Sequence, residues 1–354
     1  MNSDARTPAE RVGPGLWSIP VPIPWSPLGC TLAYLIESSA GPVLVDAGWD
    51  HPDSWQALVA GLGGAGTTVA DLYGVLVTHH HRDHLGLAAR IRAESGAWVA
   101  LHPADTAVLR RLRDDQATAS ARRRLERSLA SLAAAGAPPG EVAVLRAQAS
   151  AQAGRAPWPA PFLPDRGVAD GELADVPGRR LRALWTPGHS PGHTCFYLEQ
   201  ERLLLSGDHL LPGITPHIGL ADGDDGDPLA DFLASLDRLS ALDVAGVLPA
   251  HEHRFTAHAG RAREIAAHHQ ARLAEVEVAL TPAGATLWEV AGQMEWNQPW
   301  SEMSPQSHRM ALSEAAAHLR YLERRQRVRV LRPEGPVRYE LSVDLRRLTP
   351  GRQT

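Results

Sequence analysis

The densest chemistry in this sequence lies in Thr78–Gly86, THHHRDHLG, where His79, His81, Asp83 and His84 fall within six positions. Residues two apart in an extended segment point to the same side, so His79 and His81 can share one ion. Asp83 and His84, beyond a turn, can face a second ion a few ångström away. Imidazole and carboxylate donors suit zinc, iron or manganese better than a thiolate-seeking metal. The two cysteines, Cys30 and Cys195, are too few for a thiolate cluster or a disulfide framework and read as small buried apolar residues. A lone histidine in a polar loop is more often solvated or hydrogen-bonded than catalytic, so His80, His102, His253, His268 and His269 are not counted as ligands.

Elements that must position these groups are legible around them. TLAYLIESSAGPVLVDA, from Thr31, reads as strand, turn, strand, and the apolar run Val75–Val77 delivers the histidine cluster at the end of a buried strand. A helix is expected near Trp55–Gly61 and a strand near Ala97–Leu101. Further strands are expected at Leu181–Trp185, Cys195–Leu198, Arg202–Leu205 and Gly246–Leu248, with a helix over Pro228–Leu239 and a long one over Ala257–Leu280. Strands in two runs with helices between them predict a layered α/β sandwich. Residues 104–165, rich in alanine, arginine and regularly spaced leucine, read as a helical insertion in a catalytic body spanning 1–275. The remainder, 276–354, orders two helices before the strand pair RVRVLRP and VRYELSV, the sequence of a winged-helix-like domain.

The H-x-H-x-D-H spacing resembles the signature of the metallo-β-lactamase superfamily. TPGHSPGH with His189, SGDH with Asp208 and LPAHEH with His251 follow in that family's order, over roughly residues 16–269. The resemblance implies an αββα metallo-β-lactamase sandwich. It implies that His79, His81 and His189 hold one divalent ion, that Asp83, His84 and His251 hold another, and that Asp208 and a hydroxide bridge them. Zinc is the first expectation for both ions, with iron or manganese as alternatives. Shared coordination lowers the pKa of water toward ~7 and makes a nucleophile at neutral pH. Asp83 and Asp208 are then the catalytic carboxylates, with Asp83 as proton acceptor or donor. Asp46, in LVDAGWD, matches a position that supports the site from behind the ligands, and His193 matches a hydrogen-bonding brace. His209 and His217, in GDHLLPGITPHIG, are candidates to reach substrate.

The presence of Asp208 disfavours antibiotic hydrolysis, since β-lactamases of this fold generally lack that aspartate. Together with the C-terminal unit, the pattern is similar to lactamase-β-like and glyoxalase II-like hydrolases. The first expectation is therefore a hydrolase of a small-molecule ester, thioester or lactone. A nuclease acting on single-stranded RNA or DNA is the alternative; it would use Arg324, Arg325, Arg327 and Arg329 as a phosphate track. A DNA-binding regulator that senses a ligand or metal ranks third. The balance of 35 basic against 40 acidic residues, net −5, gives no general pull toward nucleic acid or anionic membrane, and every basic residue is arginine, which removes lysine nucleophiles. No run reaches ~18 uninterrupted apolar residues and no signal-peptide pattern opens the chain, so cytoplasmic residence is expected. For the winged-helix-like domain, packing on the body or a homodimer is preferred to nucleic-acid contact.

Overall fold

The computed structural model describes residues 9–118, 121–151, 161–221, 224–331 and 335–342; residues 152–160 of the expected insertion, residues 332–334 and the residues from 343 lie outside them. In chain order the elements are β1 (Glu10–Gly13), β2 (Leu16–Pro22), β3 (Cys30–Ile36), β4 (Val43–Val45), α1 (Pro52–Gly64), β5 (Gly74–Leu76), α2 (Arg82–Leu85), α3 (Ala88–Ser95), β6 (Trp98–Leu101) and α4 (Pro103–Thr118). There follow α5 (Ala121–Ala134), α6 (Pro139–Ala151), β7 (Arg166–Gly167), β8 (Leu181–Trp185), β9 (Thr194–Leu198), β10 (Leu203–Gly207), α7 (Pro228–Ser240) and β11 (Gly246–Pro249). The chain closes with α8 (His258–Ala279), β12 (Ala285–Thr286), α9 (Leu287–Gln293), α10 (Pro305–Arg324), β13 (Val328–Leu331) and β14 (Arg338–Leu341).

These elements form two compact units, one drawn from residues 1–113, 161–216 and 234–263, the other from 114–160, 217–233 and 264–354. Helices α5 and α6 thus group with the C-terminal elements, and the last change from one unit to the other falls inside α8.

The first unit holds two sheets, β1-β2-β3-β4-β5-β6-β7 and β11-β10-β9-β8. In the larger sheet β1 to β4 pair antiparallel and β4 to β7 parallel. Strands β3 to β6 are buried on both faces, which explains why they read as continuous apolar runs. Ala33, Leu35, Leu44, Val75, Val99 and Leu101 join one core with α1 and α3 residues such as Leu58, Leu62 and Ile91. Their alternating neighbours Tyr34, Ile36, Val43, Val45, Leu76 and Ala100 join another with Leu181, Ala183, Phe196, Leu198, Leu205 and Leu248 of the smaller sheet. The period of two therefore decides which core each side chain enters. Strand β2 is absent from the expectation because Pro20 and Pro22 argue against a strand. Its partner β1 reaches only Leu16–Ser18, so both prolines fall where β2 has no neighbour on that side.

Sheet direction places the site. The chain leaves β4, β5, β8, β10 and β11 at their C-terminal ends, and those ends lead directly to Asp46, His79, His189, Asp208 and His251.

In the second unit a three-stranded sheet, β12-β14-β13, accompanies α9 and α10. Helix α9 starts with a reciprocal cap in which the Thr286 hydroxyl accepts from the Glu289 amide at 3.2 Å and the Glu289 carboxylate accepts from the Thr286 amide at 2.7 Å. Helix α10 is capped by Ser304 and buries His308, Ala311, Leu312, Ala315, Leu319 and Leu322, a stripe at helical spacing. Among the described residues no helix is long and apolar enough to cross a membrane.

Candidate metal centre

All seven expected ligands come together at the strand ends of the first unit, in two groups. His79, His81, His189 and Asp208 offer ligand atoms within 4.8 Å of one another, and Asp83, His84 and His251 do the same. Asp208 faces both groups. Its Oδ2 lies 3.9 Å from His79 Nε2 and 3.5 Å from His189 Nε2. Its Oδ1 lies 3.3 Å from His84 Nε2 and 3.1 Å from His251 Nε2. His251 Nε2 and His84 Nε2 are in turn 3.5 and 3.6 Å from Asp83 Oδ2. His81 presents Nδ1 rather than Nε2, at 2.9 Å from His79 Nε2 and 3.1 Å from His189 Nε2.

The backs of these imidazoles are held. Asp46 Oδ2 is 2.8 Å from His84 Nδ1, the Cys30 carbonyl is 2.9 Å from His251 Nδ1, and the Thr78 hydroxyl is 3.0 Å from His79 Nδ1. A proton fixed on the outer nitrogen leaves the inner one as a lone-pair donor, which is the tautomer a cation requires. Asp46 also accepts from the Thr78 amide at 2.8 Å, and its backbone sits at φ +62°, a left-handed conformation costly for a side chain other than glycine. That turn aims the carboxylate back under the cluster. His193 is fully buried, with Nε2 accepting from the Asp208 amide at 3.2 Å and Nδ1 2.9 Å from the Thr186 hydroxyl. Gly207 fits there because a Cβ would come within 2.6 Å of His193 Nε2.

The remaining candidates lie elsewhere. His209 is 0% exposed, and its ring centre is 5.5 Å from that of His193, so it is packed beneath the ligands rather than open to solvent. His217 belongs to the second unit, where its Nδ1 is 3.2 Å from Glu314. One residue escaped the sequence reading altogether: Asp105, fully buried, accepts from the His80 amide and from Ser190 and Gly192. Its signal is an acid just beyond the end of β6, the same kind of position as Asp46 beyond β4.

Several observations bear on whether the residues fit a cation. Buried His84 Nε2, His251 Nε2 and Asp208 Oδ1 have no correctly directed hydrogen-bond partner, although they converge. A tetrahedral ion with bonds of about 2.0–2.1 Å holds its nitrogen donors about 3.3 Å apart, close to the spacings around His81. Burial, reinforced by neighbouring histidines, drives His79 and His81 well below the ordinary imidazole range, which keeps them neutral donors. Burial alone would depress His84 as well, yet the carboxylates of Asp208, Asp83 and Asp46 carry it well above that range. Against the same burial, His84 and His251 hold Asp208 well below the carboxylate range and Asp83 at about 2. Ionised acids facing orphaned nitrogens make a pocket that demands positive charge.

Comparison with known proteins agrees with this geometry. Residues 28–251 match the model of the metallo-beta-lactamase superfamily. A metallo-beta-lactamase family protein from Thermus thermophilus superposes with a TM-score of 0.76 at 35% identity, covering 94% of this chain and 100% of that one. A beta-lactamase domain protein from Burkholderia ambifaria shares the fold with a TM-score of 0.77 at 24% identity, covering 94% of each chain. Curated relatives match over shorter stretches. They include the lactamase-like protein vrtG of Penicillium aethiopicum, 42% identical over 91 residues (25% of this chain, 27% of that protein). An atrochrysone carboxyl ACP thioesterase of Paecilomyces divaricatus is 36% identical over 91 residues (25% of this chain, 26% of that protein). The chain therefore matches only about a quarter of the length of these two curated relatives. With the ligand motif, the sandwich and the matched span in agreement, the chain belongs to the metallo-beta-lactamase superfamily.

Proposed function

We propose that this chain hydrolyses a small-molecule acyl thioester with the help of two divalent ions, zinc in the first instance. The observation that carries the reading is the split of Asp208, whose two oxygens face different ligand groups. His79, His81 and His189 would hold one ion, Asp83, His84 and His251 the other, with Asp208 shared. Bound there, such a pair acidifies water toward neutral pH and polarises the carbonyl under attack. The chain's own residues do the rest. Asp46, Thr78 and the Cys30 carbonyl orient the donors, and His193 fixes the backbone that presents Asp208. Asp83, partly open to solvent, accepts the proton of the attacking water and returns it to the departing thiolate as the C–S bond breaks.

The thioesterase named among the relatives supports a thioester over a lactone or simple ester. The intrachain contacts of the arginines expected to form a phosphate track count against the nuclease alternative. Arg324 donates to the Asp225 carbonyl, Arg325 pairs with Asp227, Arg327 with Glu277 and Arg329 with Glu340. Guanidiniums already engaged within the chain are poorly placed to neutralise a backbone of phosphates. The order β12, α9, α10, β13, β14 supports a winged-helix reading of the second unit, in a role of packing or self-association.

The test is elemental analysis of protein purified without added metal, with a thioester, a lactone, a phosphodiester and single-stranded RNA assayed on the same sample. Two metals per chain and turnover of the thioester alone are expected. Turnover confined to the phosphodiester or RNA would replace this reading with the nuclease. Absence of metal and activity after reconstitution with zinc, manganese or iron would remove the enzymatic reading.

A further inference from the structure

Asp105 is 0% exposed, belongs to neither ligand group, and stands at the start of α4 just beyond β6. Four polar atoms converge on it from two separate loops. Oδ2 accepts from the His80 amide at 2.8 Å, lies 3.0 Å from His80 Nδ1, and accepts from the Ser190 hydroxyl at 2.8 Å. Oδ1 accepts from the Gly192 amide at 2.6 Å. His80 lies between His79 and His81, and Ser190 directly follows His189. The carboxylate therefore ties together the two loops that carry every histidine of the first ligand group. Gly192 is shaped to this contact, since a Cβ there would sit 2.5 Å from the Asp105 amide nitrogen and 2.8 Å from its Cβ. The second group has different anchors, Asp46 behind His84 and the Cys30 carbonyl behind His251.

We propose that Asp105 is a positioning residue that sets the separation of His81 and His189, and so governs cation affinity at the three-histidine group selectively. The proposal rests on reading the site as a metal centre. An ionised carboxylate is required because it only accepts, whereas an amide must turn an NH2 group toward one of the converging donors. Asp105→Asn therefore separates the loops even though the side chain keeps its size. The ligands of the other group, anchored independently, keep their places.

Cobalt(II) titration of metal-free protein, followed by its visible absorption and by competition with a chelator, tests this. Wild-type protein is expected to take up two ions. Asp105→Asn is expected to bind one with wild-type affinity and the other about 10–100-fold more weakly, the usual consequence of losing a support behind a ligand. Ser190→Ala, which deletes one of the contacts and preserves the charge, is expected to weaken the same ion by a smaller factor, about 3–10-fold; it decides the matter if Asp105→Asn does not fold. Equal weakening of both ions, or two ions bound with wild-type affinity in a variant that merely melts earlier, would overturn the proposal while leaving the metal centre intact. Failure of wild-type protein to bind cobalt would instead overturn the metal reading on which the proposal stands.

Discussion

At the scale of single residues, the site is a problem of pointing. Asp208 turns one carboxylate oxygen to each ligand group, so its removal cannot be local. Asp208→Ala is expected to lose both metals together and to reduce kcat by at least about 10²–10³-fold, since charge stabilisation and the nucleophile's source go at once. Elemental analysis beside kinetics checks this, and two retained metals with full turnover would defeat it. Asp46 acts one step further back. Its two oxygens meet three donors, the Thr78 amide, the Thr78 hydroxyl and His84 Nδ1. An asparagine must oppose at least one of them, so Asp46→Asn is expected to weaken metal binding about 10–100-fold with the fold preserved, as read by chelator competition beside circular dichroism. The ligands were legible in the sequence because four crowd into one motif and the others end apolar runs. Asp105 was not, because a single acid at the head of an alanine- and arginine-rich helical stretch looks like ordinary helix-start chemistry.

At the scale of elements, strand ends and helix starts decide what can be aimed. Alternation along β3 to β6 was readable as apolar runs, but which core each residue enters depends on the sheet stacked above it. Strand β2 stayed hidden because its prolines are tolerated only by an accident of pairing, the shortness of β1. The grouping of α5 and α6 with the C-terminal elements was equally invisible, being set by contacts far apart in sequence. The Trp288 amide donates to the Ala135 carbonyl, the Val337 amide to the Ala134 carbonyl, and Gly136 leaves no room for a Cβ against Thr286. Thr286 is thus both the cap of α9 and the floor under Gly136. Thr286→Ala is expected to destabilise the second unit by about 0.5–2 kcal/mol, the usual worth of such a cap. Hydrogen exchange should locate the effect in α9 and β12; unchanged protection there would show that the cap contributes nothing.

At the scale of the whole molecule, a buried histidine pair outside the metal centre is expected to contribute to acid sensitivity. In the second unit His269 Nδ1 lies 3.2 Å from His318 Nε2, and His318 Nδ1 donates to the Glu314 carbonyl at 2.8 Å. That last bond makes His318 Nε2 an acceptor, so His269 must donate from Nδ1 and keep Nε2 unprotonated. Burial first, then repulsion from His318, pushes His269 down to about 3 from its ordinary 6.5, and burial lowers His318 in the same direction. Glu314 pulls upward on both without reversing the shift, and Arg272 and His268 add to the lowering. A depressed imidazole means that the unfolded chain takes up the proton first as pH falls. The contribution is therefore complete above about pH 6.5 and is lost as pH drops from there toward 3, at a slope of up to about 1.4 kcal/mol per pH unit for one such group. Denaturant unfolding between pH 7 and 4 should show this slope, read from the second unit by hydrogen exchange in α8 and α10. In His269→Leu the slope should flatten while stability at pH 7 falls, because the variant leaves His318 Nε2 without its donor. Carboxylates and metal ligands titrate alike in both proteins, so the difference between the two slopes isolates the pair. Parallel slopes would mean that the buried histidines do not govern the unit's response to acid.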